Sequence, residues 1–172
     1  MRVIFLDIDG ILNNLCLKNP WTRPDGTIQE PVQGTKTVWR NTIGMDYDKV
    51  ERLNKILDSS DWSIIISSSW GFSRDTIQAL ICFGFKHTHR IVGGTYNGCG
   101  RGNQIWNTIK DNPSITDFIT IEDEPFDIIG EHESVTPEMR EFFKDRVFSP
   151  NPYVGLTDEI VEKVIKYHKE NK

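Results

Sequence analysis

The sequence predicts an α/β domain built on a mostly parallel, doubly wound sheet, with a small cap inserted near its start. Three observations carry that prediction. Short apolar runs, the mark of strands buried on both faces, recur at residues 2–6, 62–66 and 118–121. Segments with helical periodicity alternate with them, the order expected of β-α units rather than hairpins. The length, 172 residues, is that of one domain with room for a modest insert.

The elements follow in chain order. Residues 2–6 form the first strand. Residues 46–58 form a helix with Val50, Leu53, Ile56 and Leu57 on one face. Residues 62–66 form the second strand. Residues 73–83 form a helix, with Ser73 as N-cap and Gly84 just past the end. Residues 91–92 suggest a short strand, and residues 102–110 a helix through Ile105, Trp106 and Ile109. Residues 118–121 form a third strong strand and residues 146–148 an edge strand. The last helix, residues 157–168, is capped by Thr157 and stapled by Leu156 and Val161. Asp158 and Glu159 in its first turn and Lys166 and Lys169 near its end suit the helix dipole. Two stretches resist the pattern. Residues 14–45 contain Pro20, Pro24 and Pro31 and little periodicity, and read as the cap within a single domain spanning 1–172. Residues 122–145 carry nine acids against two bases, which leaves the rest of the chain at +2. Long irregular stretches in compact domains are usually lids or binding loops.

Composition narrows the class. The chain is 37% hydrophobic and 26% charged, with a formal net charge of −5. That balance excludes a basic wrapper of nucleic acid, though not a locally basic pocket. No apolar run approaches the roughly 20 residues that span a bilayer, and MRVIFLDIDG lacks a signal-peptide pattern. Cys16, Cys82 and Cys99 are odd in number, widely spaced and match no zinc pattern. The expected location is therefore the cytoplasm, away from membranes.

Four segments carry the chemistry. In residues 5–13, FLDIDGILN, an apolar strand ends in Asp7 and Asp9, followed by Gly10. Carboxylates at i and i+2 share a side at the strand's carboxyl end, where open α/β sheets bind ligands. Such a pair is unfavourable without a cation between its members, and Mg²⁺ prefers oxygen ligands. In residues 64–70, a strand runs out into Ser67, Ser68 and Ser69, hydroxyls able to hold phosphate oxygens. Gly98, Gly100 and Gly102 surround Arg101 at a helix start, an arrangement that suits an anion. Another strand ends in Glu122, Asp123 and Glu124. Each segment alone has an ordinary reading as a turn or solvated loop; their order gives them weight. Elsewhere, Trp21, Arg23, Lys36, Trp39 and Arg40 in the insert could stack bases and grip phosphates, or the two tryptophans could simply pack the cap. His87 and His89 have no acid or cysteine partner nearby in sequence and are read without a metal role. Cys82 and Cys99 are read as plain small residues.

The series DIDGILN, IIISSSW, RGNQIWNTI, FITIEDE and VGLTDEIVEKVI resembles the haloacid dehalogenase (HAD) superfamily. It resembles most the phosphatase-type domain of multidomain RNA repair proteins, over nearly the whole chain. The resemblance implies a Rossmann-like fold and a Mg²⁺-dependent phosphohydrolase working through an aspartyl-phosphate. It implies Asp7 as nucleophile and Asp9 as general acid/base. Ser67 would be the phosphate-binding hydroxyl, with Ser68 as alternate, and Arg101 would neutralise charge. Gly10, Ser68, Arg23 and Arg40 would contact substrate. Asp7, Glu122, Asp123 and the main chain at Asp9 would hold Mg²⁺. Relatives usually pair two aspartates where Glu122 and Asp123 stand, so either acid could be the ligand, with Asp127 a third candidate. The expected substrate is a nucleotide or a nucleic-acid terminal phosphate. The alternatives are a small-metabolite phosphatase or phosphotransferase of the same fold, and a non-catalytic nucleotide- or RNA-end-binding module. Either a separate ligase or kinase supplies the neighbouring repair steps, or the substrate differs from the family's.

Overall fold

The computed structural model describes residues 1–13, 44–96, 100–131 and 134–171. Expectations placed on residues 14–43, including Arg23 and Arg40, and on Cys99 lie outside the described residues. Gly44 and Met45, the last two residues assigned to the insert, are buried, and Met45 belongs to the core.

Five strands form one all-parallel sheet: β1 (Arg2–Leu6), β2 (Ser63–Ile66), β3 (Ile91–Gly94), β4 (Asp117–Ile121) and β5 (Val147–Phe148). Their spatial order is β3-β2-β1-β4-β5. The N-terminal strand is therefore central, and β5 is an edge, as its position in the sequence suggested. Strand geometry sends successive side chains to opposite faces. Ile4, Leu6, Ile64, Ile66, Ile119 and Ile121 face one side. They pack there against α1 (Tyr47–Asp58), α2 (Arg74–Cys82) and α6 (Asp158–Glu170). Val3, Phe5, Ile65 and Phe118 face the other side, where α3 (Arg101–Asp111), α4 (Phe126–Ile129) and α5 (Pro137–Phe143) supply Ile105, Ile128, Met139 and Phe143. Helices on both faces explain why the strands read as continuous apolar runs rather than alternating ones.

The caps behave as their residues dictate. Ser73 Oγ accepts from Thr76 N, and Thr157 Oγ1 accepts from Ile160 N, while Leu156 and Val161 are both buried as a staple requires. Past α2, Gly84 turns the chain at φ +92°; Gly84 N donates to Ile81 O and Phe85 N to Leu80 O. This paired closure, with Phe85 and Leu80 both buried, is a Schellman ending.

The acidic stretch 122–145 is not one long irregular loop: it folds into α4 and α5. Thr136 caps α5 by accepting from Met139 N, Pro137 occupies its first turn, and Met139 and Phe143 are buried. Its acids divide between the end of β4, where Glu122 is buried, and exposed positions such as Glu124, Glu138 and Glu141. Among the described residues, no helix is long and apolar enough to cross a membrane.

Phe5 lies on the central strand, fully buried, with its ring edge-on to Phe118 at 6.0 Å between centroids. Phe5→Ala should cost about 3–5 kcal/mol, read as a lower urea midpoint at unchanged m-value; an unshifted midpoint would contradict this packing.

Candidate active site

Register, more than any single motif, builds the site. Leu6 pairs with Ile66 on one side and with Ile121 on the other. The next residue of each strand is therefore Asp7, Ser67 or Glu122, side by side at the carboxyl edge. Backbone bonds continue the ladders into this row: Ser67 N donates to Leu6 O at 2.8 Å and Asp7 N to Ile121 O at 3.0 Å. By the alternation of side chains, Asp7 continues the Val3–Phe5 series, Ser67 follows Ile65 and Glu122 follows Phe118 and Thr120. The row thus shares the face covered by α3, and the first residue of α3 is Arg101.

Arg101 reaches back over that row. Its Nε lies 3.1 Å from Glu122 Oε2 and its Nη2 3.7 Å from Asp7 Oδ1, while Nη1 donates to Gln104 Oε1. The contact with Glu122 has ion-pair distance but not hydrogen-bond alignment, so Glu122 Oε2 is buried without a hydrogen-bond donor among the described residues. Asp7 and Glu122 are only 5% and 4% exposed. Burial pushes the Asp7 carboxyl up to about 6, against a hydrogen bond from Ser68 and the charge of Arg101. Burial, and then the charge of Asp7, push Glu122 up to about 9. Two buried carboxylates share one partly exposed guanidinium, which leaves their negative charge undercompensated.

Asp123 completes an acidic cluster. One ligand oxygen each from Asp7, Glu122 and Asp123 lies within 4.8 Å of the others. Gly10 makes room for it. At φ +69° it occupies the left-handed region, and a Cβ there would sit 2.1 Å from Asp123 Oδ2. A hard cation suits this donor set: all ligands are carboxylate oxygens, one buried oxygen lacks a donor, and burial has raised the cost of both charges. Glu122 and Asp123 are both within reach, so the two acids weighed as alternatives in the sequence stand together here. Asp127 lies outside the cluster, lining the adjacent cavity.

Asp9 is placed differently. Its carboxylate stands apart from the acidic cluster and accepts from Trp70 Nε1 at 3.1 and 3.0 Å, from Asn13 Nδ2 at 2.9 Å and from Ser69 Oγ at 3.4 Å. Asn13 Oδ1 also accepts from Gly10 N at 2.8 Å, tying the turn after β1 to the same group. A cavity of about 390 Å³ opens beside these groups, lined by Ser68, Ser69, Arg101, Gln104, Glu122 and Asp127 among others. Ser67 Oγ is fully buried and has no hydrogen-bond partner among the described residues, whereas Ser68 bonds Asp7 and lines the cavity.

The structure thus brings together Asp7, Asp9, Gly10, Ser67, Ser68, Arg101, Glu122 and Asp123. Trp70, Asn13 and Gln104 were missed as site residues. Asn13 carries a readable signal, an amide four residues after a catalytic-type acid, but Trp70 is 61 positions from Asp9 and no local pattern joins them. Elsewhere, His87 lies 3.0 Å from Asp58 Oδ1, an acid 29 positions away that a local reading of the sequence does not reach.

The profile of one protein family, described as the HAD domain in Swiss Army Knife RNA repair proteins, matches residues 3–161. Searches of curated proteins and of solved structures returned no match.

Two predictions follow from the acidic cluster. Millimolar Mg²⁺ should raise the melting temperature, and Gly10→Ala should displace Asp123 and at least halve that rise; an undiminished rise would contradict the close approach. The raised carboxyl pKa values mean that the metal-free folded protein binds more protons than the unfolded chain between about pH 4 and the folded-state values. Its stability should therefore fall as pH rises across that window, through about 6 for Asp7 and toward 9 for Glu122. Melting temperatures with EDTA and with Mg²⁺ should diverge as pH rises from 5 to 8; a constant gap would refute the assignment.

Proposed function

Because the chain belongs to the family of HAD domains found in Swiss Army Knife RNA repair proteins, we propose that it is a Mg²⁺-dependent phosphohydrolase acting through an aspartyl-phosphate on Asp7. The observation that supports this best is the row of strand ends that sets Asp7 beside Glu122 and under Arg101, with Asp9 held separately by Trp70 and Asn13.

Phosphoryl transfer needs positioning and charge neutralisation more than elaborate covalent machinery. An Asp7 oxygen attacks phosphorus as the bond to the leaving oxygen breaks, giving the acyl phosphate. The guanidinium of Arg101 and the hydroxyl of Ser68 or Ser67 are donors for the equatorial oxygens, where negative charge accumulates. Asp9 gives its proton to the departing oxygen and then takes one from the water that cleaves the acyl phosphate, a role worth roughly 10²–10⁴-fold. Asp7, Glu122, Asp123 and the main chain at Asp9 would hold Mg²⁺, which supplies charge neutralisation for the buried acids and the transferring group. The separation of roles is physical: Asp7 is buried among charges that a cation neutralises, whereas Asp9 is hydrogen-bonded apart from them.

The substrate we favour is a nucleotide or a nucleic-acid terminal phosphate, following the family. The acids lining the cavity, Glu122, Glu124 and Asp127, oppose a long polyanion running through it and suit a single terminal phosphate. The same lining supports a second reading, a small phosphorylated metabolite. A panel of mononucleotides, sugar phosphates and 3′- and 5′-phosphorylated oligonucleotides separates the two.

Asp7→Asn should reduce phosphate release from p-nitrophenyl phosphate at least 10³-fold, on the order of the loss of other covalent catalysts, with an unchanged circular dichroism spectrum. EDTA should abolish turnover and added Mg²⁺ restore it. Retained activity in the variant or with chelator would overturn the nucleophile or the metal, respectively.

A further inference from the structure

We propose that Trp70 is a positioning residue for Asp9: its indole N–H holds the Asp9 carboxylate in the orientation from which Oδ2 delivers a proton to the leaving oxygen. The inference rests on the reading of Asp9 as general acid/base and extends it to a residue to which that reading gives no role.

Trp70 Nε1 lies 3.1 Å from Asp9 Oδ1 and 3.0 Å from Oδ2, a single donor shared between both oxygens. The two oxygens are not otherwise equivalent. Among the described residues, Oδ1 also accepts from Asn13 Nδ2 at 2.9 Å, whereas Oδ2 has besides Trp70 only the long 3.4 Å contact with Ser69 Oγ. Oδ1 is therefore the anchored atom and Oδ2 the one able to carry a proton. When Oδ2 is protonated, Trp70 keeps Oδ1, so the carboxyl group need not rotate between giving a proton and taking one back. In the transfer the Oδ2–H bond breaks as the leaving oxygen gains its proton. In the second step Oδ2 regains one from the attacking water.

Trp70 is itself fixed. Its carbonyl accepts from Thr76 Oγ1 at 3.1 Å, a buried side chain in the first turn of α2, and its ring packs partly against the core. Thr76 is bonded in turn to the N-cap Ser73. The segment leaving β2 is thus braced on α2 while its tryptophan crosses to the segment leaving β1. A buried indole N–H ordinarily finds some acceptor. What distinguishes this one is its acceptor, the acid/base carboxylate, and the inequality it leaves between that acid's two oxygens.

The test compares kcat/KM, which reports the step that expels the leaving group, on phenyl phosphate and on p-nitrophenyl phosphate. Phenolate is a poor leaving group that needs the proton, and p-nitrophenolate leaves with far less help. Trp70→Phe keeps the aromatic packing and removes the N–H. It should lower kcat/KM on phenyl phosphate at least ~10-fold, within the range of general-acid effects, and on p-nitrophenyl phosphate less than ~3-fold. Asn13→Ala removes the other donor to Oδ1, should show the same split, and carries the test if the tryptophan variant melts too low to assay. Equal losses on both substrates would mean a merely structural role, and no loss on either would mean no role; both overturn the proposal. Asp9→Asn in the same assay keeps the two readings apart. A leaving-group split in Asp9→Asn that is missing from both other variants refutes the positioning role alone, and no split in Asp9→Asn refutes the acid/base reading itself.

Discussion

Two carboxylates, Asp7 and Glu122, lie side by side on adjacent strands with almost no access to water, and the arrangement of the molecule follows from the need to tolerate them there. A buried ion costs several kcal/mol even after relaxation, and two of like sign cost more. The chain spends its one cavity-lining guanidinium among the described residues, Arg101, on both. It leaves one Glu122 oxygen without a donor and brings Asp123 alongside. Structural residues alone would not be arranged this way, since an apolar pair of similar size would be at least as stable. A divalent cation held by Asp7, Glu122 and Asp123, as proposed, would supply the missing positive charge.

Fold and site are coupled through parity. The same alternation that sends Val3, Phe5 and Ile65 to the α3–α5 face sends Asp7, Ser67 and Glu122 there at the strand ends. A one-residue slip of β4 against β1 would turn Glu122 away from Arg101 and bury the wrong face of the strand. The apolar core therefore specifies the register that the proposed site needs.

Much of this was legible because it is local. The strands announce themselves as apolar runs, the caps as Ser73 and Thr157, and the acid pair as i, i+2 carboxylates past a strand. What was not legible falls into two kinds. Helices α4 and α5 lie within a stretch so acidic and so punctuated by Pro125, Gly130 and Pro137 that composition suggests a loop; yet Thr136-Pro137 ahead of Met139 and Phe143 is a helix start with an apolar face. The Trp70–Asp9 contact is of the other kind. It depends on β2 lying next to β1, and no spacing within either segment encodes it. The formal −5 charge is also unevenly placed: residues 122–145 carry nine acids against two bases, and Glu122, Glu124 and Asp127 among them line the cavity, which opposes wrapping a polyanion but not admitting the single terminal phosphate proposed.

The central claim, that the buried Asp7 becomes covalently phosphorylated, is tested most directly by acid-quenching the Mg²⁺-loaded enzyme during steady-state turnover of a ³²P-labelled substrate and mapping the label by peptide. The account predicts acid-stable, alkali- and hydroxylamine-labile label on the N-terminal peptide carrying Asp7, absent from Asp7→Asn. Turnover with no protein-bound label, or label on a peptide lacking Asp7, would contradict it.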